Sequence, residues 1–548
     1  MTDKSIAIIG AGPGGLAALY EFLHTNADGT SNLTDATKTY KDNIPLGDAF
    51  KNIVVFESKD KAGGIWAPAT EEADLPVPPQ HLLHKVNDPH TIKPTNVPPE
   101  GIKTATLENP IHVENEANYK GGKTYHGPLI NELEWSRSGI FPFLFTNIPT
   151  RFTRYSYLPI THNDKSRSIF PFLTHQELSE RFSDFIQDNE LGKYIRLNSP
   201  VERVEKEGDK WVVTVRKKDG NKSSWYSQSF DYVVVANGHY TLPYIPNIPG
   251  LADYNERFPD SLIHAKSFRH LDEFKDKRVL VVGGGISTVN ILQYVVPVAK
   301  SVTNSKRGPN AIFPYINDAL ISEPIEPKGT IDHIDGETGE FHFTDGSVGA
   351  YDKVIFSTGY HYHFPFFPNN DHFKLINPGN LSRVDGLYLN TFDQHDPTLG
   401  AVGITVSQLN FHTIEASGAA LAGVWSGAKK LPSLKEQQEW EQNLVAERGN
   451  SLIFHYYNQH TAKDFIDAVA PYFPKGRYNP LDVDGPFVGE VDEGANQLEK
   501  LFYGLKEGRI RIEETNPSYR GKSEEGKKGE TKKVSTEVTI EETGPIPA

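Results

Sequence analysis

The 548-residue chain has no cysteine, and Met1 is its only methionine. At average usage a protein of this length carries on the order of ten or more sulfur residues. Disulfides, thiolate nucleophiles and cysteine metal sites are therefore excluded, and no other metal site is read from the sequence. The deficit fits either avoidance of oxidisable side chains or synthesis in a cell short of sulfur. Long apolar runs are missing too. The nearest approach to the ~18 residues of a spanning helix is 400–427, which Gln408, Asn410, His412 and Glu415 interrupt. A basic excess is also lacking, since 56 Lys and Arg against 71 Asp and Glu leave a formal charge of −15. Such a surface repels phosphate backbones and anionic lipid, so nucleic-acid and polybasic membrane roles are not expected. Met1-Thr2-Asp3-Lys4-Ser5 leads into an apolar strand without a secretory leader, and a cytoplasmic protein is expected.

The length is ample for two or more domains. Apolar, β-branched runs predict strands at 5–9, 53–56, 232–236, 301–304 and 353–357, with another starting at Arg278. Alternation at 201–205 and 210–216 predicts a hairpin. Helical periodicity covers 14–24, 174–189, 407–426 and 433–447. Residues 25–51 read as a polar insertion in the first βαβ unit. Residues 67–123, rich in Pro, Asn and His, read as a long surface excursion. From Glu514 to Ala548 large apolar residues almost vanish, predicting a disordered, charged tail.

Two strand–glycine–helix junctions carry the chemistry. In the first, Gly10, Gly12 and Gly15 form GxGxxG. The first glycine allows the tight turn, the second a close approach of backbone N–H groups to a pyrophosphate, the third close helix–strand packing. Glu57 ends the next strand and can accept ribose hydroxyls; the 25–51 insertion explains its late position. In the second, Gly283 and Gly285 match, but Thr288 replaces the third glycine and should hold its helix farther from the strand. Ser287 can donate to a phosphate. The following strand ends in Asn304-Ser305-Lys306-Arg307 rather than an acid. A Lys–Arg pair favours a 2′-phosphate, hence NADPH over NADH. Two dinucleotide loops imply a flavin reduced by a nicotinamide. Disulfide reduction needs a cysteine pair that is absent, so oxygen is the natural acceptor.

Glu57, followed by Gly63-Gly64-Ile65-Trp66, resembles the FAD-binding end of the flavin-containing monooxygenases. Residues 258–269 resemble that family's signature, with Phe258, His264 and Phe268 matching and Asp260 standing where the family has glycine. The Thr358-Gly359-Tyr360 crossover and the 408–435 stretch beginning at Gln408 are similar as well. The resemblance implies an α/β fold with two Rossmann-like dinucleotide-binding domains, one for FAD and one for NADPH. The second is inserted in the first: 1–251 and 359–513 for FAD, 252–358 for NADPH. It assigns Gly64, Trp66, Thr358 and Gln408, with the loop residues above, to the cofactors. It also makes Asn147 of Thr146-Asn147-Ile148-Pro149 the catalytic amide, beside the flavin.

The implied activity is NADPH- and O2-dependent oxygenation of a soft sulfur or nitrogen atom of a small molecule through a C4a-hydroperoxyflavin. The sulfur deficit suggests an organosulfur compound. Baeyer–Villiger oxidation of ketones is the alternative, although Phe268 stands where those relatives carry Trp. A redox-inactive, flavin-binding regulatory protein is a third reading. A homodimer is left open.

Overall fold

Short β-branched runs, buried on both faces, build one parallel sheet of five strands and a larger sheet that is parallel except for an antiparallel edge, as expected where helices cover each side. The computed structural model describes residues 4–67, 72–93, 96–113, 119–120, 123–124, 135–161, 164–220, 222–368, 372–376, 382–483, 485 and 487–517. The larger sheet runs Leu387–Tyr388, Phe392–Asp393, Leu399–Ala401, Tyr232–Val235, Ser5–Ile9, Asn52–Phe56, Ile195–Arg196. Ser5–Ile9 is central and parallel to both neighbours, with Ile8 opposite Val55 and Val234. The five-stranded sheet runs Leu262–His264, Lys353–Phe356, Arg278–Val282, Ser301–Ser305, Ile325–Lys328. All five strands fall in sequence between two strands of the larger sheet. The second dinucleotide-binding unit is thus inserted in the first.

Helix Pro13–Leu23 opens with proline, whose fixed φ suits the first turn. It is apolar nearly all round because the larger sheet covers one side and helix Asn410–Trp425 the other. A Cβ on Gly418 would lie 3.2 Å from Ala18 Cα, so small residues set the helix separation. Trp425 closes the contact by stacking on Phe22 at 5.6 Å. Helices His175–Asp188 and Leu434–Arg448 begin at capping boxes, Thr174 with Glu177 and Ser433 with Glu436.

Three expectations need correction. The 67–123 stretch is more than a surface excursion: Val77, Leu83 and Val86 share a core with Leu280 and Val354 of the five-stranded sheet. Ile111–Val113 pairs with Lys222–Phe230 in an antiparallel sheet. Isolated apolar residues among prolines anchor it, a pattern without periodicity. Residues 68–71, 94–95, 114–118 and 121–122 of that stretch lie outside the described residues.

The 359–513 segment does not stay with the larger sheet. Its helix Val488–Lys506 places Leu498, Leu501, Phe502 and Leu505 in one core with Leu292 and Val295 of helix Ile286–Val295. Order also extends past Glu514, because Thr515 and Asn516 are buried and Asn516 Nδ2 donates to Pro142 O at 2.7 Å. The rest of the tail, 518–548, lies outside the described residues. Among the described residues, no helix is long and apolar enough to cross a membrane.

Candidate active site

The first glycine loop is tight. Gly10 has φ +102°, and a Cβ there would lie 2.5 Å from Ala236 O. A Cβ on Gly15 would lie 1.9 Å from Gly10 O, so helix and loop touch directly. The Glu57 carboxylate, 5% exposed, accepts the Ala11 N–H at 2.8 Å and the Lys59 N–H at 3.0 Å. Its remaining lone pairs suit ribose hydroxyls. Gly64 packs against Gly12, and Trp66 follows on the same short 3-10 turn. From behind, the Tyr155 hydroxyl donates to Pro13 O at 2.6 Å.

The second loop is built differently. Thr288 occupies the place of Gly15, is fully buried, and sets its hydroxyl close against Gly283. Asn304 Nδ2 donates to Val281 O at 3.0 Å and Gly283 O at 2.9 Å. Asn310 Nδ2 donates to Gly284 O at 2.9 Å. These two amides brace the loop, Asn304 from the position where an acid would bind a ribose hydroxyl. Ser305 is 1% exposed and donates its hydroxyl to Gly329 O at 2.7 Å. Lys306 lies beside Gly284, half-buried, and burial draws its pKa below the usual lysine value. Arg307 is exposed.

One cavity of about 620 Å³ joins the two units. Gly10, Gly12, Glu57, Gly64 and Trp66 line it from the first loop; from the second unit it reaches Ser287, while Asn147 and Gln408 complete the wall. Gly15, Gly283, Gly285, Lys306, Arg307 and Thr358 stand off this wall. Gly15 serves packing. Thr358 is turned away, its hydroxyl hydrogen-bonded to Tyr244 O. Gln408 Oε1 already accepts the Gln459 N–H at 2.9 Å.

Asn147 sits on a rigid turn. Thr146 N–H donates to Leu173 O at 2.7 Å, Thr150 N–H to Pro171 O at 2.7 Å, and the Thr153 hydroxyl to Ile148 O at 2.9 Å. Among the described residues the Asn147 amide itself has no partner. It is therefore positioned without being committed.

The signature segment ties the units together. His264 is 1% exposed; its Nε2 pairs with Gly359 O at 3.0 Å and its Nδ1 accepts the Lys266 N–H at 3.1 Å. Burial pushes its pKa down to about 3, so the ring is neutral. Lys266, buried, pairs with Asp74, and its Nζ also donates to Arg137 O at 2.6 Å. Asp260 takes φ +64°, a left-handed conformation that Asp tolerates better than most residues in place of glycine. Sequence reasoning missed the cavity-lining His239 and His361, both held neutral by burial with pKa values near 4.

Two strand–glycine–helix units around one shared cavity define an oxidoreductase of the class that pairs a flavin with a nicotinamide. A family model described as flavin-binding monooxygenase-like matches residues 128–320. The chain is 32% identical over 352 residues to flavin-containing monooxygenase FMO GS-OX-like 9 of Arabidopsis thaliana, covering 61% of this chain and 73% of that one. It is 29% identical over 344 residues to trimethylamine monooxygenase of Methylocella silvestris, 62% of this chain and 72% of that one. S-allyl-L-cysteine S-oxygenase from Allium sativum has the same fold, with TM-score 0.61 at 22% identity, covering 92% of this chain and 98% of that chain. The chain belongs to the flavin-containing monooxygenase family: it is a flavin-dependent monooxygenase, and its cofactors are FAD and NADPH.

Proposed function

We propose that this enzyme uses NADPH and O2 to oxygenate a sulfur or nitrogen atom of a small molecule, an organosulfur compound being the favoured substrate. The observation that carries the reading is Asn147, an uncommitted amide on a braced turn in the wall of the shared cavity. A relative is named for trimethylamine, a small tertiary amine, which supports a small heteroatom substrate here. One oxygen atom goes to the substrate and the other leaves as water, with NADPH providing two electrons.

The residues fit the cofactors. Gly10, Gly12, Gly64 and Trp66 would hold FAD, with Glu57 accepting its ribose hydroxyls and the start of helix Pro13–Leu23 facing its pyrophosphate. Ser287, at the start of the second helix, would take the pyrophosphate of NADPH, and Lys306 with Arg307 its extra phosphate. Bound and reduced, FAD supplies the activation of O2. The chain's own work is then positional: Asn147 offers both a donor and an acceptor, yet has no acidic proton to give up. The apolar wall beside it excludes water. No general acid–base pair is required, because the attacking electrons are the substrate's own lone pair.

The test is to purify the protein with its flavin and supply NADPH and ¹⁸O2 with a thioether, an amine or a cyclic ketone. Labelled sulfoxide or N-oxide is expected. Labelled ester from the ketone alone, or NADPH oxidation that yields only hydrogen peroxide, overturns the reading.

A further inference from the structure

The first glycine loop offers a pyrophosphate backbone N–H groups and a helix end, but no cation. Residues 9–16 contain no Lys or Arg. A helix N-terminus is equivalent to only about half a positive charge, and Glu57 beside it is acidic. The phosphate charges of FAD, drawn into the cavity, need a counter-charge close by.

Among the described residues four Lys and Arg side chains line the cavity: Lys59, Lys93, Arg216 and Lys218. Three of them adjoin Glu57, where the ribose is placed. Ser199 N–H donates to Glu57 O at 2.7 Å, Asn198 N–H to Lys59 O at 2.8 Å, and Lys218 N–H to Asn198 O at 2.7 Å. Arg216 Nε is paired with the buried Glu202 carboxylate at 2.7 Å.

Lys93 comes from the 67–123 stretch, outside both glycine units. It follows helix Pro89–Ile92, which Asp88 caps by accepting the His90 and Thr91 N–H groups. Ile92 is fully buried with Trp135 and Leu242, and Trp135 Nε1 donates to Ile92 O at 2.9 Å. Beyond Lys93, Asn96 Nδ2 donates to Glu202 at 3.0 Å. Anchors on both sides thus hold Lys93 at the cavity wall. Contacts lead from its helix to the first loop. His90 Nδ1 lies 3.4 Å from His363 Nε2, and His363 O accepts Asn237 Nδ2 at 2.9 Å. A Cβ on Gly10 would lie 3.1 Å from Asn237 Cα. Burial, and after it the Lys93 charge, lower the His363 pKa, so that charge is felt beside the loop.

Resting on the placement of FAD at the first glycine loop proposed above, we infer that Lys93 supplies the counter-cation for the FAD pyrophosphate. The stretch that carries it is therefore part of the flavin site, and flavin retention depends on its charge.

The experiment is a dilution series of the FAD-loaded enzyme, with released FAD read by its fluorescence. Wild type is compared with Lys93→Gln, Lys93→Arg and Glu57→Ala, each checked for folding by circular dichroism. Lys93→Gln should raise the Kd for FAD about 10-fold or more, while Lys93→Arg, which keeps the charge, should stay within about 3-fold of wild type. Equal weakening by Gln and Arg would assign Lys93 to packing and overturn the inference. So would a Lys93→Gln enzyme that holds FAD normally while Glu57→Ala loses it, which leaves the flavin at the first loop. A raised KM for NADPH with FAD affinity unchanged would move Lys93 to the other cofactor and overturn it as well. If Glu57→Ala and Lys93→Gln both hold FAD as wild type does, the placement of FAD at the first loop fails, and this inference with it.

Discussion

Replacing Glu21 by Gln should make the enzyme more resistant to unfolding at pH 8 but not at pH 5. Glu21, Glu415 and Arg477 form a triad with no side-chain exposure, in which one guanidinium serves two carboxylates. Arg477 Nη2 is 2.9 Å from Glu21 and also contacts Glu415. The Glu415 carboxylate further accepts the Ser156 N–H at 2.7 Å. Burial raises the Glu21 pKa to about 7 despite Arg477, against an ordinary 4.5. The folded protein thus holds a proton that the unfolded chain has lost, so stability falls as pH rises from about 4.5 to about 7. Between pH 5 and pH 8 about two pH units of that window are crossed, which is worth ~2–3 kcal/mol. Gln keeps a neutral partner for Arg477 and has no proton to lose. Urea unfolding of the flavin-loaded protein at both pH values measures the difference. Arg477→Met is the contrast, since it leaves two buried carboxylates without a cation and should cost ~3–5 kcal/mol at pH 8. An equal effect of Glu21→Gln at pH 5 and pH 8 would refute the assignment of that proton to Glu21 in the folded triad.

Asn147→Ala should lower product per NADPH consumed by ~100-fold, in the range seen when one positioned hydrogen-bond group is removed from a reacting centre. NADPH oxidation should continue, and measuring sulfoxide and hydrogen peroxide together separates uncoupling from inactivation. Lys306→Ala should raise the KM for NADPH by ~10-fold or more with little change for NADH; equal effects on both would place Lys306 away from the 2′-phosphate. Thr288→Gly removes the buried side chain set against Gly283, and closer helix packing with tighter NADPH binding is expected. Unchanged or weaker affinity by titration would show that the Thr288 side chain does not limit binding.

Local features were legible in the sequence; pairings across the chain were not. Strand Ser5–Ile9 and both glycine loops show themselves through apolar runs and residue spacing that need no partner to be read. Helix Val488–Lys506 carries readable apolar spacing at Val491, Leu498, Leu501 and Leu505, yet nothing local says which sheet it covers. Asp74 and Lys266 are 192 residues apart, and Glu21 and Arg477 are 456 apart. Each is an ordinary surface-type residue until the fold brings it to its partner. The partner of the Ser305 hydroxyl was likewise not legible, because the pairing of strands Ser301–Ser305 and Ile325–Lys328 is what places Gly329 within its reach.

The two glycine loops differ in a way that matches the different demands on them. FAD must survive every turnover, whereas the nicotinamide is exchanged once per turnover. The first loop presses its helix onto Gly10 and is backed by Tyr155 and by helix Asn410–Trp425. The Glu21–Arg477–Glu415 triad then locks both helices from the side away from the cavity. The second loop has Thr288 where closest packing would put glycine, and two asparagine side chains brace its carbonyls instead. Side-chain braces can yield and re-form individually, while a direct backbone contact can open only if the whole helix moves. The first helix is thus held to its loop by direct backbone contact at Gly15 and the second loop by side chains, while the Asn147 turn is braced by Leu173 and Pro171 rather than by either loop.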